Sequence, residues 1–226
     1  MKLLVLGASG IVGRRVCREV ARLEGLESVV IAGRDGALLD RLVSALGHEL
    51  FSSTTLDLHD SAALRAAMEE VDVVASAAGP AYALERDAVQ AAIATGTNYV
   101  SLADDLPATE EVTALDEGAT RAGVTVVSGC GMSPGLSNLL VALAAREGEP
   151  EEVAISLAAS SADDTGPATA MHFLKMLDDP APALSDGVDE VARGGTGPRL
   201  VYFPEPIGWV ETFRSGHPEV LTLPTR

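Results

Sequence analysis

The feature that most constrains this chain is a regular alternation of short apolar runs with longer stretches whose apolar residues recur at helical spacing. Lys2 to Leu6 is apolar, glycines follow, and Ile11 to Leu23 then places Val12, Val16, Val20 and Leu23 at helical spacing. The unit returns as Ser28 to Ala32 with Ala37 to Leu46, then Leu50 to Leu56 with Ser61 to Glu69. It returns again as Val71 to Ala75 with Leu84 to Thr95 and as Asn98 to Leu102 with Thr109 to Ala122, before a sixth strand at Val124 to Ser128. Ser61 stands where a hydroxyl can cap its helix. Apolar strands separated by helices predict an α/β fold, a doubly wound parallel sheet covered on both faces, over residues 1–148.

Past Glu147-Gly148-Glu149-Pro150 the alternation stops, and residues 149–226 predict a partial second α+β element. Val153 to Ala159 reads as a strand and Ala168 to Leu177 as a helix, while Asp178 to Pro206 is rich in Pro, Gly and Asp with little periodicity. The last stretch holds the single tryptophan, which predicts packing rather than disorder, and it stops at LPTR without a terminal helix.

Charge and composition narrow the partners. With 33 acidic against 16 basic residues the net charge is −17, which repels nucleic acid and anionic lipid. No apolar run has the length of a membrane span, and Met1 opens directly into a strand rather than a basic leader, so a cytoplasmic protein is expected. Cys17 and Cys130 are too few for a disulfide framework or a thiolate metal site, and His48, His59, His172 and His217 lack ligand spacing, so no metal is expected.

The glycines of GASGIVG follow the first strand and open the first helix. Read as a dinucleotide fingerprint, Gly7 permits the tight turn, Gly10 lets backbone approach a pyrophosphate, and Gly13 lets the helix lie against the strand. Ser9, Ile11 and Val12 complete that loop, and the helix start offers unpaired N–H groups to an anion. A tight structural turn is the competing reading. A phosphate loop of the GxxxxGK[ST] kind is excluded because its lysine is missing.

The second strand ends in IAGRDG. Arg34 suits a 2′-phosphate and so NADP; the alternative is a solvated Arg34 with Asp35 accepting the ribose hydroxyl of NAD. Asp57, after the third strand, suits an adenine amino group or a cap on the following turn. The fourth strand runs into ASAAGPAY, where Ala77, Ala78, Gly79 and Pro80 allow close passage of a ribose and nicotinamide beyond the strand ends. Together these features make the expected architecture a Rossmann-type one.

GASGIVG, IAGR, AAGP, NYVSLADD and GCGMSPGLSNLL occur in the order and spacing of the saccharopine dehydrogenase and reductase family, which this chain resembles over essentially residues 1–145. The resemblance implies an NADP-dependent oxidoreductase moving hydride between NADP(H) and an imine or secondary amine. Its candidate proton-handling groups are Tyr82, Asp104, Asp105, Asp116 and Cys130, with Asp116 and Cys130 flanking the substrate and nicotinamide, and Tyr82 following AAGP. A solvated helical carboxylate for Asp116 and a buried small side chain for Cys130 are the competing readings. The family's turn carries an acid before Pro-Gly where this chain has Ser133, which argues against saccharopine as substrate. In the family the second domain is an insertion after which the chain returns to the nucleotide domain. The chain therefore resembles a truncated or shortened member and is expected to form a homodimer that covers the open edge. A non-catalytic NADP-binding sensor or scaffold is the alternative function.

Overall fold

The computed structural model describes residues 1–148, 150–160, 164–185 and 188–223. Its contacts group into two compact units, Met1–Cys130 and Gly131–Arg226. The boundary expected after residue 148 falls inside the second unit, and Glu149 lies outside the described residues.

The first unit is built on strands β1 (Lys2–Leu6), β2 (Ser28–Gly33), β3 (Phe51–Thr55), β4 (Val73–Ser76), β5 (Asn98–Ser101) and β6 (Val126–Val127). They form one six-stranded sheet in the order β3-β2-β1-β4-β5-β6, parallel throughout. The connecting helices are α1 (Ile11–Val20), α2 (Gly36–Leu46), α3 (Ser61–Glu69), α4 (Ala81–Thr95), α5 (Leu106–Thr113) and α6 (Asp116–Ala122). This is the doubly wound, Rossmann-type sheet that the alternation predicts.

The period of two in β1 creates two cores. Leu3 and Val5 pack with Cys17, Val20, Leu39 and Leu42 of α1 and α2 on one face. Leu4 and Leu6 pack with Leu64, Met68, Val89 and Ala92 of α3 and α4 on the other. Each fully buried aliphatic side chain contributes roughly 1.5–3 kcal/mol through area removed from water, so the central strand is held from both sides. Cys17 lies inside, and burial pushes its thiol up to about 11, which keeps it an inert, neutral packing group.

Two local expectations change. The helix read across Thr109 to Ala122 is two helices, because the chain tightens at Ala114 and Leu115, where the Leu115 N–H donates to Val112 O. The cap of α3 is Asp60 and not Ser61: its Oδ1 accepts from Ala62 N at 3.1 Å and Ala63 N at 3.0 Å.

In the second unit a wide turn at Met132–Leu136 leads into α7 (Ser137–Ala144). After it come α8 (Pro167–Asp178), the antiparallel pair β7 (Pro180–Ser185) and β8 (Val188–Arg193), a second pair β9 (Arg199–Phe203) and β10 (Gly208–Thr212), and the short α9 (Glu219–Thr222). Val153–Ala159 is not a strand. Its apolar alternation is present, but it pairs with no strand among the described residues, and Val153, Ile155 and Leu157 stay exposed. The stretch from Asp178 to Pro206, read as aperiodic, holds three strands. The tryptophan read as packed is exposed, meeting Tyr202 edge-on across β9 and β10 at a ring separation of 5.4 Å. The end of LPTR, residues 224–226, lies outside the described residues.

Candidate functional site

The order of strands reverses between β1 and β4, so the connections leaving their carboxyl ends part to opposite sides and open a crevice, the place where such sheets take ligands. The first wall is the glycine turn. Gly7 has φ +72°, and a Cβ there would stand 2.7 Å from Ala78 Cα. A Cβ on Gly13 would stand 2.1 Å from Gly7 O, so α1 starts flush against the turn. Gly10 caps α1 with extended backbone and no side-chain hydrogen bond, and its N–H donates to Gly7 O at 3.0 Å. The N–H groups of Ile11 and Val12 belong to the first turn, where no intrahelical acceptor exists. The Ser9 hydroxyl lies beside the end of β2: a Cβ on Gly33 would stand 2.8 Å from its Oγ.

The second wall is the turn after β4. Ala77 N–H donates to Leu6 O at 3.0 Å, and Ala78 lies against Gly7, so the turns leaving the two central strands are in contact. Gly79 and Pro80 carry the chain into α4, whose second residue, Tyr82, donates its N–H to Asp105 Oδ2 at 3.0 Å. Gly7 and Gly13 thus let the two turns and the start of α1 close on one another, while Gly10, where a Cβ would meet only Gly7 O at 3.2 Å, leaves bare backbone at the head of α1, of the kind a dinucleotide phosphate fits.

The adenine side is more open. Arg34 is exposed just past β2. Asp35 is the cap of α2, accepting from Leu38 N at 3.0 Å, and so already has a structural task. Asp57 is exposed after β3, and its Oδ1 accepts from His59 N at 3.1 Å, the turn cap that was one of its two expected roles.

Residues 3–127 match the family model described as the saccharopine dehydrogenase NADP binding domain. The chain belongs to the saccharopine dehydrogenase family. Its first unit is the NADP-binding domain of that family, an oxidoreductase-type family. Among solved structures the chain is similar to apo saccharopine dehydrogenase (L-Glu forming) from Saccharomyces cerevisiae, at 22% identity and a TM-score of 0.67 over 94% of this chain and 49% of that one. It is also similar in fold to Pen from Bacillus thuringiensis, at 16% identity and a TM-score of 0.50 over 56% of this chain and 49% of that one. The chain thus spans about half the length of both structures.

Against that family background, the proton-handling candidates occupy different places. Asp105 is buried at the position preceding α5, and its Oδ2 accepts from Tyr82 N–H in the first turn of α4. Tyr82 is half-buried at the start of α4. Cys130 follows β6 and is exposed, contrary to the buried reading; its N–H donates to Ser101 O at 2.8 Å, and partial desolvation raises its thiol so that it stays protonated. Asp116 is exposed in the first turn of α6, separated from the end of β5 by the whole of α5.

Two clusters escaped the sequence reading. In the saccharopine dehydrogenase-type domain, Glu85 of α4 is 2% exposed and accepts from Tyr99 Oη at 3.0 Å, from Ser101 Oγ in a short contact, and from Ser128 Oγ at 3.4 Å. Burial raises its carboxyl above the usual range, and the three hydroxyl bonds only partly offset that. In the second unit Glu219 accepts from Ser133 in a short contact and from Ser137 Oγ at 2.6 Å, and bonds His217 Nδ1 at 2.7 Å. Burial alone would raise the Glu219 carboxyl, but the bonds from His217, Ser133 and Ser137, with the charge of His217, hold it down at about 2. The His172 ring meets His217 edge-on at 5.8 Å. A carboxylate thus stands beside Ser133, where the turn itself lacks one. Only the pairing of positions 86 apart reveals it.

Proposed function

We propose that this chain is an NADP-dependent oxidoreductase that moves hydride between NADP(H) and the carbon of an imine, a secondary amine or a related small substrate. The observation that carries the reading is the contact of the turns after β1 and β4 at the reversal of strand order, in a domain of an NADP-binding family.

In this reading the N–H groups of Ile11 and Val12 at the uncapped start of α1 hold the pyrophosphate, with Gly7, Ser9, Gly10 and Gly13 keeping the approach clear. Arg34 grips the 2′-phosphate with its planar fork, and the free Asp57 oxygen accepts from the adenine amino group. Ala77, Ala78, Gly79 and Pro80 seat the ribose and nicotinamide. The bound cofactor supplies or accepts the hydride. What remains for the chain is to orient a substrate and to manage one proton, for which Tyr82, Cys130 and Asp116 are the proposed groups, Cys130 as a protonated thiol beside the end of β6.

The test follows nicotinamide absorbance of the full chain with NADPH and a panel of aldehydes paired with amino acids or polyamines. NADPH consumption that needs both members of a pair supports the reading. Tight NADPH binding without turnover on any pair overturns it in favour of a non-catalytic NADP-binding protein.

A further inference from the structure

Glu85 has a position that a packing residue does not need. Ser76 ends β4, Ser101 ends β5, and Ser128 immediately follows β6. The Glu85 carboxyl binds the last two of these and the Tyr99 hydroxyl, so it ties together the ligand-facing edge of the strands that carry the second mononucleotide half. No Arg, Lys or His among the described residues bonds to it. Taking a carboxylate out of water without a cation is costly, whereas the neutral acid still accepts from Tyr99 and reverses the Ser101 contact, donating its own proton to Ser101 Oγ. Tyr99 is the titratable side chain that touches it, and burial pushes that phenol well above its ordinary value, so it stays a neutral donor. At the start of the same helix Asp105 spends Oδ2 on Tyr82 N–H.

The hydroxyls make a path. Ser101 Oγ touches Glu85 Oε1 and lies 3.2 Å from Ser128 Oγ, and Ser128 is half-buried where Ser101 is buried. We propose that Glu85 is the proton store of this site and that Ser101 and Ser128 relay its proton to the substrate, a role that rests on the imine reading above. When hydride adds to the carbon of a neutral imine, the C=N π pair moves to nitrogen and takes the proton of Ser128. Ser128 is reprotonated by Ser101, and Ser101 by Glu85, which is left as a carboxylate. Amine oxidation runs the same transfers backward. Ser128 then delivers that proton in place of Tyr82, Cys130 or Asp116, and Glu85 acts through it.

The test uses the full chain, infrared spectra with and without NADPH, and the variants Glu85→Gln and Ser128→Ala. Glutamine keeps a donor toward Ser101 and an acceptor for Tyr99, so NADPH affinity and the melting temperature should stay near wild type. A protonated-carboxyl band at neutral pH should vanish in Glu85→Gln. With any pair that the wild type turns over, both variants should lose roughly 100-fold in rate, the scale of positioned proton transfer, and Glu85→Gln should lose one limb of the pH profile. Absence of the band from wild type overturns the proton store, and a Glu85→Gln protein with wild-type rate and pH profile overturns the relay. A wild type that shows the band yet turns over no pair overturns the imine reading and the proton's destination with it, a result distinct from either.

Discussion

At the scale of single residues, the clearest assignments are those where one atom decides. Arg34 is exposed, so its replacement should leave the fold intact. Arg34→Ala should therefore weaken NADPH binding by roughly 10- to 100-fold, the worth of charge-assisted hydrogen bonds, while NADH binding barely moves. Fluorescence titration with both cofactors checks this, and an unchanged preference removes Arg34 from the phosphate site. Glu219 gives a pH prediction with a definite sign. Its carboxyl is held at about 2 against an ordinary 4.5, so the folded state binds fewer protons in that interval. The stabilisation is complete above about pH 4.5 and is lost as pH falls toward 2, amounting to about 3 kcal/mol between those limits. Glu219→Gln should flatten that acid limb in denaturant melts from pH 7 to pH 3. A variant limb as steep as the wild-type one would show that the cluster is not its source.

At the scale of elements, packing and capping make separable predictions. Gly13→Ala drives a Cβ into Gly7 O, whereas a Cβ on Gly118 of α6 meets nothing within 4 Å. The first substitution should lower the melting temperature sharply, and Gly118→Ala should raise it by reducing backbone freedom in the unfolded chain, worth about 0.4–1 kcal/mol. Asp60→Ala should cost about 1 kcal/mol through loss of two bonds to the start of α3, and Ser61→Ala almost nothing; equal costs would return the cap to Ser61.

These elements also show where the sequence is legible. Strands and helices of the first unit follow from local periodicity, and the glycine roles follow from a turn only seven residues long. The break at Ala114 and Leu115 is hidden because Val112, Leu115 and Ala119 continue the helical spacing straight across it. The hairpins of the second unit are hidden for another reason: their ladders join residues that carry no local alternation, and β7 contains Pro180 and Pro182. Glu85 sits in a stretch, ALERDAV, that looks like a solvated helix face, and only β5 and the end of β6 make it a buried acid.

At the scale of the whole molecule, net charge and exposed apolar surface oppose one another. Leu139, Leu140 and Leu143 of α7 are 68%, 57% and 60% exposed, an apolar stripe that the expected homodimer, argued from the open sheet edge, could also bury. The net charge of −17 resists that association and is screened by salt. Light scattering should give a mass near twice 23.3 kDa, with the dimer strengthening as salt rises and dissolving in Leu139→Glu/Leu143→Glu. A single-chain mass at every salt concentration overturns the homodimer.

The end of β2 carries a further consequence, for how cofactor preference can drift among descendants of this chain. A side chain on Gly33 would have to displace the Ser9 hydroxyl, and Asp35 is held by its duty as the cap of α2. Between two positions that the fold owns lies Arg34, which it does not. With Arg34 as the proposed clamp on the 2′-phosphate, a single codon change there would weaken the hold on NADP at almost no structural cost, so cofactor preference is open to change where the neighbouring positions are not.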